Sequence, residues 1–384
     1  MQGRGFFSIY TASAFLMSLP IPSTYVRFAE GVEEIQPNED QLGDETVASM
    51  ARMARFMFEK HRHAIRDAHA KSHGILRGEL HVYPNLPAHL AQGMFAEAKV
   101  YPVIIRLSTS PGAIQPYSQP AVKGLALKII GVPGQKFLAQ EADAVTQDFL
   151  LVNDTIIPTG DVKSYHDMQL KLEKLVHGPE IIQTVLNEAA VLADKALEAV
   201  GSKKEVPVVV QAHPTTHILG ETYTTLGAIR YGDYVAKVGV APLSDNVKAL
   251  AGKAMDVQEP GAYRDMVVDF FRTQGAEYEL RAQLCTNLQT MPVENASIDW
   301  PQAQSPYQAL GKIVLPAQEA FSPARRVFAD DVLSFNPFHC LPAHLPLGSI
   351  NRVRIKAYAS STNYRHATNA QPKVEPTDIN QLPD

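Results

Sequence analysis

Four histidines lie close together in the segment from His61 to His73. If this segment is helical, His69 and His73 lie one turn apart on the same face, and imidazole is a common metal ligand. However, the HExxH pattern of zinc proteases is absent, and no set of carboxylates or cysteines nearby completes a site. The residues alone therefore favour a solvated basic helix end over a mononuclear metal site.

Two polar side chains interrupt or follow apolar runs that are typical of strands. Arg106 lies inside YPVIIRLST at 101–109, and a buried arginine needs a partner because an unpaired buried charge is costly. Asn153 directly follows the apolar end of DFLLV, so its amide could face a cavity. Each residue also has an ordinary interpretation, which is the wet face of a sheet for Arg106 and a turn for Asn153.

Arg354 and Tyr358 are four residues apart, which places both side chains on one face of a helix. A guanidinium beside a phenol lowers the pKa of the phenol because it favours the anion. A phenolate is an anionic oxygen ligand suited to ferric iron. A simple arginine–tyrosine contact on a helix is the alternative that this pair leaves open.

Together these segments resemble the haem-binding elements of the catalase superfamily, in the same order and with similar spacing. The segment RDAHAKSHGILRG resembles the distal-histidine motif of that family, with His69 as the histidine. The run RLST at 106–109 resembles the family's RFST strand. Asn153, just before an Asp-Thr pair, stands where the family has its distal asparagine.

The C-terminal part of the resemblance is the proximal helix of the family. The RxxxY pattern of Arg354 and Tyr358, followed by Arg365, is similar to the helix from which tyrosine ligates haem iron. The run LPAHLPLGSINR at 341–352 resembles the short catalase-related haem proteins more closely than the true catalases. The resemblance extends from about residue 60 to residue 366, with few recognisable positions between 165 and 300.

The resemblance implies that the chain binds haem b, with Tyr358 as the axial ligand of the ferric iron. His69 would be the distal acid–base residue, Asn153 would donate a hydrogen bond to the departing peroxide oxygen, and Ser108 would hydrogen-bond to His69. Arg354 would keep Tyr358 deprotonated. Three arginines would pair with the haem propionates: Arg66, Arg106 and Arg365.

Some positions depart from the pattern of true catalases. Ala68 precedes His69 where valine is usual, and Lys123-Gly124 replaces part of the family's RDxRG segment. The aromatic residue that usually stacks on the distal side corresponds to Tyr165. No site for a bound nicotinamide nucleotide is recognisable. These departures count against efficient dismutation of hydrogen peroxide more than against haem binding and peroxide activation.

The predicted function is that of a haem-dependent, peroxide-metabolising oxidoreductase, a catalase-related peroxidase acting on hydrogen peroxide, organic hydroperoxides or both. One alternative is a fatty-acid hydroperoxide isomerase or dehydratase of the allene oxide synthase kind, which uses the same haem without net reduction. Another is a haem-binding protein with little turnover. Product analysis separates the first two, and peroxide consumption separates both from the third.

The elements that must position these residues follow from the apolar patterns. Helical spacing covers Asp44 to Lys60, with Asp44 as the expected N-cap, and also 162–176 and 179–200. Strand blocks around a helical insert, without βαβ alternation, predict an α+β fold with an antiparallel β-barrel core and surrounding helices. The β-rich runs lie at 79–83, 101–109, 125–132, 148–153, 223–242, 277–288 and 307–315.

Three segments make up the expected domain organisation. Residues 23–368 should form one haem domain, because His69, Asn153 and Tyr358 come from opposite ends of the chain and must meet around one ring. Residues 369–384 form a polar tail, predicted to be draped over the domain or disordered. Residues 1–22 include the apolar run FFSIYTASAFLMSL, which is too short for a membrane span. An anchor, a signal or a start at Met17 remain open for this segment.

Composition limits the partners and the compartment. The chain has 384 residues with 35 basic and 40 acidic side chains, and this mildly acidic balance argues against broad binding to nucleic acid or anionic membranes. Cys285 and Cys340 cannot build a thiolate zinc site, and they favour a reducing, cytoplasmic location. A periplasmic or secreted location follows if residues 1–22 are a signal. We expect a peroxide substrate and no transmembrane span, and a homo-oligomer remains open.

Overall fold

A closed antiparallel β-barrel forms the centre of the structure, a computed structural model that describes residues 24–110, 121–176, 215–257, 259 and 261–384. The strands are β1 (Lys71–Val82), β2 (Val100–Thr109), β3 (Lys123–Ile130), β4 (Thr146–Val152), β5 (Tyr223–Thr224), β6 (Ile229–Tyr231), β7 (Tyr234–Pro242), β8 (Ala276–Leu284) and β9 (Gln308–Leu315). In the sheet they follow one another in the order β5-β4-β3-β2-β1-β9-β8-β7-β6, and a further pairing of β5 with β7 closes eight of them into a ring. This confirms the predicted fold class.

Helices pack around this barrel. Helices α1 (Glu39–His61), α2 (Val162–Val176) and α6 (Ser349–Thr368) contact one another beside the barrel, and α4 (Ala262–Thr273) packs on β1. The predicted helix over 162–176 is confirmed, whereas the predicted helix over 179–200 and the apolar segment 1–22 lie outside the described residues. The shorter helices are α3 (Asp245–Lys248) and α5 (Pro323–Val327).

Strand β2 shows how the barrel separates core from site. Side chains alternate between the two faces of a strand, so residues two apart share a face. Val103, Ile105 and Leu107 belong to the large apolar cluster of the barrel. Ile104, by contrast, packs in a second apolar cluster on the outside, so Arg106 and Ser108 also lie on that outer face. The outer face of β2 therefore carries the polar residues of the RLST motif.

The C-terminal part of the chain covers this outer face. Ala329 and Leu333 pack against Ile75 and Ile104, and Leu382 near the chain end is buried in the same cluster. The tail also makes polar contacts, because Arg77 Nη2 donates to the Leu382 carbonyl oxygen at 2.9 Å. Residues 320–346 and the tail therefore wrap β1 to β4 and enclose the space between the barrel and α6.

Helix α1 begins earlier than predicted, at Glu39 with Asn38 as N-cap, so the prediction of Asp44 as N-cap is wrong. The glycine before Asp44 therefore lies inside the helix and does not mark its start. A Cβ on Gly43 would make an ordinary contact, at 3.4 Å from Val353 Cγ2 of α6.

The helical interpretation of the histidine segment is also wrong. Helix α1 ends at His61 and β1 begins at Lys71, so His69 lies in a loop and His73 in a strand. Their separation is therefore no longer one helical turn.

In the described part of the chain, no helix combines the length and the apolar character needed to cross a membrane.

Candidate functional site

His69 is held in a strained loop between α1 and β1. Its φ is 52°, in the left-handed region that non-glycine residues rarely adopt. Arg106 Nη2 donates to the carbonyl oxygens of His69 and Ala70 at 3.0 and 3.2 Å, which fixes this backbone. Ser108 Oγ lies 3.2 Å from His69 Nδ1, as the resemblance implied. Since Nδ1 faces the serine, Nε2 is the nitrogen that remains for a ligand.

The electrostatic surroundings of His69 keep its imidazole neutral. Burial is the main cause that lowers its pKa to about 4, and the positive charges of Arg106 and Arg354 lower it further. The residue nevertheless keeps accessible surface and is only half-buried. The imidazole is therefore an uncharged base at neutral pH that keeps accessible surface for a ligand.

Gly124 provides the space for the imidazole ring. A Cβ at this position would lie 2.5 Å from His69 Nδ1 and 2.9 Å from Ser108 Oγ, distances that real Cβ atoms do not reach. Strand β3 thus passes directly against the ring because it carries no side chain there. In the sequence, Lys123-Gly124 stands out only as a departure from the family pattern, which does not indicate this role of Gly124.

Asn153 lies beside Gly124, at the end of β4. Its amide oxygen accepts a hydrogen bond from the Lys123 backbone nitrogen at 2.7 Å, and its own backbone nitrogen donates to the Lys123 carbonyl oxygen at 3.0 Å. The first of these bonds orients the side chain. Because the amide oxygen is bound to the backbone, the amide NH₂ is the end that remains to donate to a ligand. Asn153 is thus held beside Gly124, the residue that passes against the His69 ring.

The three predicted propionate-binding arginines converge on one turn. Arg106 Nε donates to Asp330 Oδ1 at 2.9 Å, and Arg66 Nη1 donates to the same oxygen at 3.2 Å. Arg365 Nη1 donates to the backbone oxygens of Asp330 and Asp331 at 2.7 and 3.0 Å. We call Arg66, Arg106 and Arg365 the arginine cluster. Asp330, which the sequence did not single out, is its shared carboxylate partner.

The arginine cluster keeps one donor that this carboxylate does not satisfy. Arg365 Nε is buried and has no hydrogen-bond partner among the described residues. Burial lowers the pKa of Arg365 to about 10, partly offset by the nearby carboxylates of Asp330 and Asp331. An orphaned guanidinium donor beside two other arginines fits a ligand with carboxylate arms. The donor set therefore fits the propionates of haem.

Helix α6 supplies the predicted arginine–tyrosine pair. Arg354 Nη2 donates to Tyr358 Oη at 3.1 Å, and its guanidinium lies 5.2 Å from the centre of the tyrosine ring. Arg354 Nη1 donates to Asn351 Oδ1 at 2.8 Å, which fixes the other side of the guanidinium. The helix that contains both residues is confirmed. A phenol oxygen held by a guanidinium is a donor set suited to a ferric ion.

Electrostatic effects link the two sides. Arg354, on α6, is among the charges that lower the pKa of His69, so the two groups lie within electrostatic range. Tyr165 on α2 lies within range of Arg354 and Tyr358, because burial raises its pKa while Arg354 opposes this rise and Tyr358 adds to it. Asp67, two residues before His69, acts on the same tyrosine, and burial raises the pKa of its carboxyl to about 6. The sequence analysis did not consider Asp67, although it lies inside the quoted motif.

Two further histidines of the segment 61–73 have partners of their own. His73 Nε2 lies 2.9 Å from Thr109 Oγ1, and His63 Nε2 lies 2.7 Å from Asp331 Oδ1. Among the described residues, the histidines of this segment do not form a shared group of metal ligands.

A second buried polar group, the lysine cluster, consists of Lys128, Asp148, His339 and Glu375. Lys128 Nζ lies 2.8 Å from Asp148 Oδ1 and also contacts the Glu375 carboxylate, with both Lys128 and Asp148 fully buried. His339 Nδ1 lies 3.1 Å from Asp148 Oδ2. The three acidic and imidazole groups have the spacing of metal ligands, but the lysine ammonium already supplies the cation that they surround. This cluster joins the barrel to the C-terminal tail.

Comparison with solved structures identifies the fold. The chain is similar to catalase A from Saccharomyces cerevisiae, with 16% identity, a TM-score of 0.54 and coverage of 94% of this chain and 74% of that one. A fungal catalase gives 16% identity and a TM-score of 0.54 over 94% of this chain and 73% of the other. A bacterial catalase gives 15% identity and a TM-score of 0.53 over 97% and 71%. The chain therefore has the catalase fold.

Sequence comparisons add no closer relative. No protein-family model matches the chain, and no curated protein matches it in sequence. At this level of identity the similarity concerns the fold alone. The specific resemblance to the short catalase-related haem proteins stays a prediction.

Proposed function

We propose that this chain is a haem protein that breaks down peroxides. The observation that carries the proposal is that His69 and the Arg354–Tyr358 pair lie within electrostatic range, although they come from opposite ends of the chain. The catalase fold supports it because solved catalases share the same barrel. The arginine cluster supports it because its unused, buried guanidinium donor suits the carboxylate arms of haem b.

The proximal residues would hold the cofactor. Tyr358 Oη would bind the ferric iron, and Arg354, which donates to that oxygen, favours its anionic form. The arginine cluster would pair with the propionates, with Arg365 Nε as a donor that the described residues leave unused. When bound, haem supplies the redox chemistry by which a peroxide O–O bond is cleaved.

The distal residues would handle the proton. A neutral His69 can accept a proton from a peroxide O–H at Nε2 and return it to the other oxygen. Its low pKa, about 4, keeps this base uncharged across the neutral range. Ser108 holds the ring at Nδ1, and the Asn153 amide would donate a hydrogen bond to the departing oxygen. Excluding bulk water from the pocket strengthens both interactions.

The absorption spectrum of protein purified from haem-supplemented cells tests this function, followed by oxygen evolution and peroxide loss. We expect about one haem per chain with the spectrum of a tyrosinate-ligated ferric haem, and loss of hydrogen peroxide or an organic hydroperoxide. A chain that binds no haem contradicts the proposal. If the haem-loaded chain consumes neither peroxide, it is a haem-binding protein with little turnover. If it forms a rearranged fatty-acid product without a reductant, it is an isomerase.

A further inference from the structure

A small, partly open cavity lies beside Arg354. It leaves about 20 Å³ for the centres of water-sized molecules, which is enough for one water. Arg354 and Asn351 from α6 line it together with His344, and strand β4 contributes Asp148. Nothing in the function proposed above requires this cavity.

His344 has one nitrogen with a partner and one without. The side chain is buried, with 1% exposure, and the Met94 backbone nitrogen donates to its Nε2 at 3.1 Å. Because Nε2 accepts, it carries no proton, so in the neutral imidazole the proton is on Nδ1. Burial lowers the pKa of His344 to about 3, which keeps the ring neutral. His344 Nδ1 is therefore a buried N–H donor, and it has no hydrogen-bond partner among the described residues.

The walls of the cavity offer both donors and acceptors. His344 and Arg354 provide N–H groups, and the Thr225 hydroxyl and the Asn351 amide provide oxygens. A buried water is stable where two to four polar groups surround it and where it satisfies an otherwise unpaired donor. A water here would accept a hydrogen bond from the buried His344 Nδ1–H, which otherwise costs free energy because it has no acceptor. The remaining walls, which include Ile229 and Pro346, are apolar and would confine the water.

We propose that one ordered water occupies this cavity and links His344 Nδ1 to the Arg354 guanidinium. Arg354 is already fixed by Asn351 at 2.8 Å and by Tyr358 at 3.1 Å, and the water would complete its surroundings on the third side. His344 is then a positioning residue that acts on Tyr358 through the water and Arg354. The water site stands independently, whereas its effect on iron ligation rests on the proposed function.

Two variants of His344 separate the water from simple packing. In H344Q, the glutamine side-chain oxygen reaches the position of Nε2 and keeps the bond from Met94, but the cavity donor is lost. In H344N, the asparagine NH₂ takes the position of Nδ1 and keeps the cavity donor, but the bond from Met94 is lost. The first variant should therefore lose the water and stay stable, and the second should keep the water and melt several degrees lower.

High-resolution crystal structures of the wild type and both variants, without added haem, test the site directly. We expect density for a water within hydrogen-bond distance of His344 Nδ1 and Arg354 in the wild type and in H344N, and none in H344Q. A wild-type cavity without that water overturns the proposal. A water that persists unchanged in H344Q shows that His344 does not hold it, which also contradicts the proposal.

Haem loss to an acceptor protein tests the link to Tyr358. Loss should be about two- to tenfold faster in H344Q than in the wild type and near the wild-type rate in H344N, since one water-mediated hydrogen bond is removed only in the first. Equal rates in H344Q and the wild type would contradict the positioning role. If the protein binds no haem but the water is present, the proposed function fails and the water site survives.

Discussion

The pocket around His69 and the lysine cluster are both buried and polar, and both lie on the outer face of the same strands, yet they are built in opposite ways. In the lysine cluster, the Lys128 ammonium lies among Asp148, Glu375 and His339 and contacts all three. Opposite charges there meet at short range. In the pocket, the guanidiniums of Arg66 and Arg106 share the Asp330 carboxylate, Arg365 binds the backbone of the same turn, and the buried Arg365 Nε has no hydrogen-bond partner among the described residues.

The difference distinguishes a structural cluster from a binding site. A buried ion group whose charges compensate one another has nothing to offer a ligand and serves to join elements, here the barrel and the C-terminal tail. A group that keeps an unused buried donor, a strained backbone at His69 and accessible surface is prepared for a partner from outside. Variants in the lysine cluster should therefore affect stability, and variants in the pocket should affect function.

Replacing His69 by alanine should have the largest effect on function. We expect peroxide consumption to fall by about 10²–10⁴-fold, because a positioned base contributes this much, while haem binding and folding stability stay close to the wild type. Stopped-flow rates and a melting curve measure both. The His81→Ala variant, a half-exposed histidine on β1, is the matched control and should keep wild-type rates. Wild-type rates in His69→Ala would remove the distal assignment.

Replacing Lys128 by methionine should have the largest effect on stability. The change keeps the side-chain volume but leaves Asp148 and Glu375 without their buried cation, so the free energy of unfolding should fall by about 3–5 kcal/mol. Urea unfolding measures this. Lys163→Met removes an exposed ion pair with Asp167 and should show no measurable change. A Lys128→Met protein as stable as the wild type would mean that the lysine cluster does not hold the fold.

Replacing Gly124 by alanine should have an intermediate effect that is confined to the pocket. The new methyl group would collide with His69 Nδ1 and Ser108 Oγ, so the ring must shift. A displacement of this size can reduce the rate of peroxide consumption by about 10²-fold, because proton transfer depends on close geometry. The haem spectrum should be unchanged, since no ligand of the iron is touched. An unaltered rate would show that the position of the ring is not critical.

The pH dependence should show the smallest effect, and its sign follows from the lowered pKa of His69. The imidazole stays neutral until the pH falls to about 4, instead of titrating near its ordinary value of 6.5. The acid limb of peroxide consumption should therefore lie near pH 4. In the unfolded chain the same residue takes up its proton near pH 6.5, so stability should fall as the pH drops from about 6.5 to about 4. An acid limb near pH 6.5 would contradict this environment.

The sequence was most informative where spacing along the chain reflects spacing in space. Arg354 and Tyr358 lie one helical turn apart, and the helix that joins them was predicted and is confirmed. The strand around Arg106 was predicted from its apolar run, and the structure extends it by one residue. Side chains two residues apart in a strand share a face, so the sequence alone also places Arg106 and Ser108 on one face.

The sequence was uninformative where a contact joins distant segments. Asp330 meets Arg66 across more than two hundred residues, and no local pattern marks a carboxylate for that role. The lysine cluster likewise joins Lys128 to Glu375 in a tail that looked merely polar. Such tertiary contacts become visible only in the folded chain. The start of α1 was misplaced for a different reason, because Gly43 precedes Asp44 but lies inside the helix.

The central claim is that Tyr358 binds haem iron in a pocket whose other residues are arranged for it. The Tyr358→Phe variant, titrated with haem and followed by absorption, tests this most directly, with Tyr364→Phe on the same helix as the control. The account predicts an equally stable apoprotein whose haem affinity is lower by more than about 100-fold and whose tyrosinate spectrum is lost, while the control behaves as the wild type. An unchanged spectrum and affinity in Tyr358→Phe would contradict it.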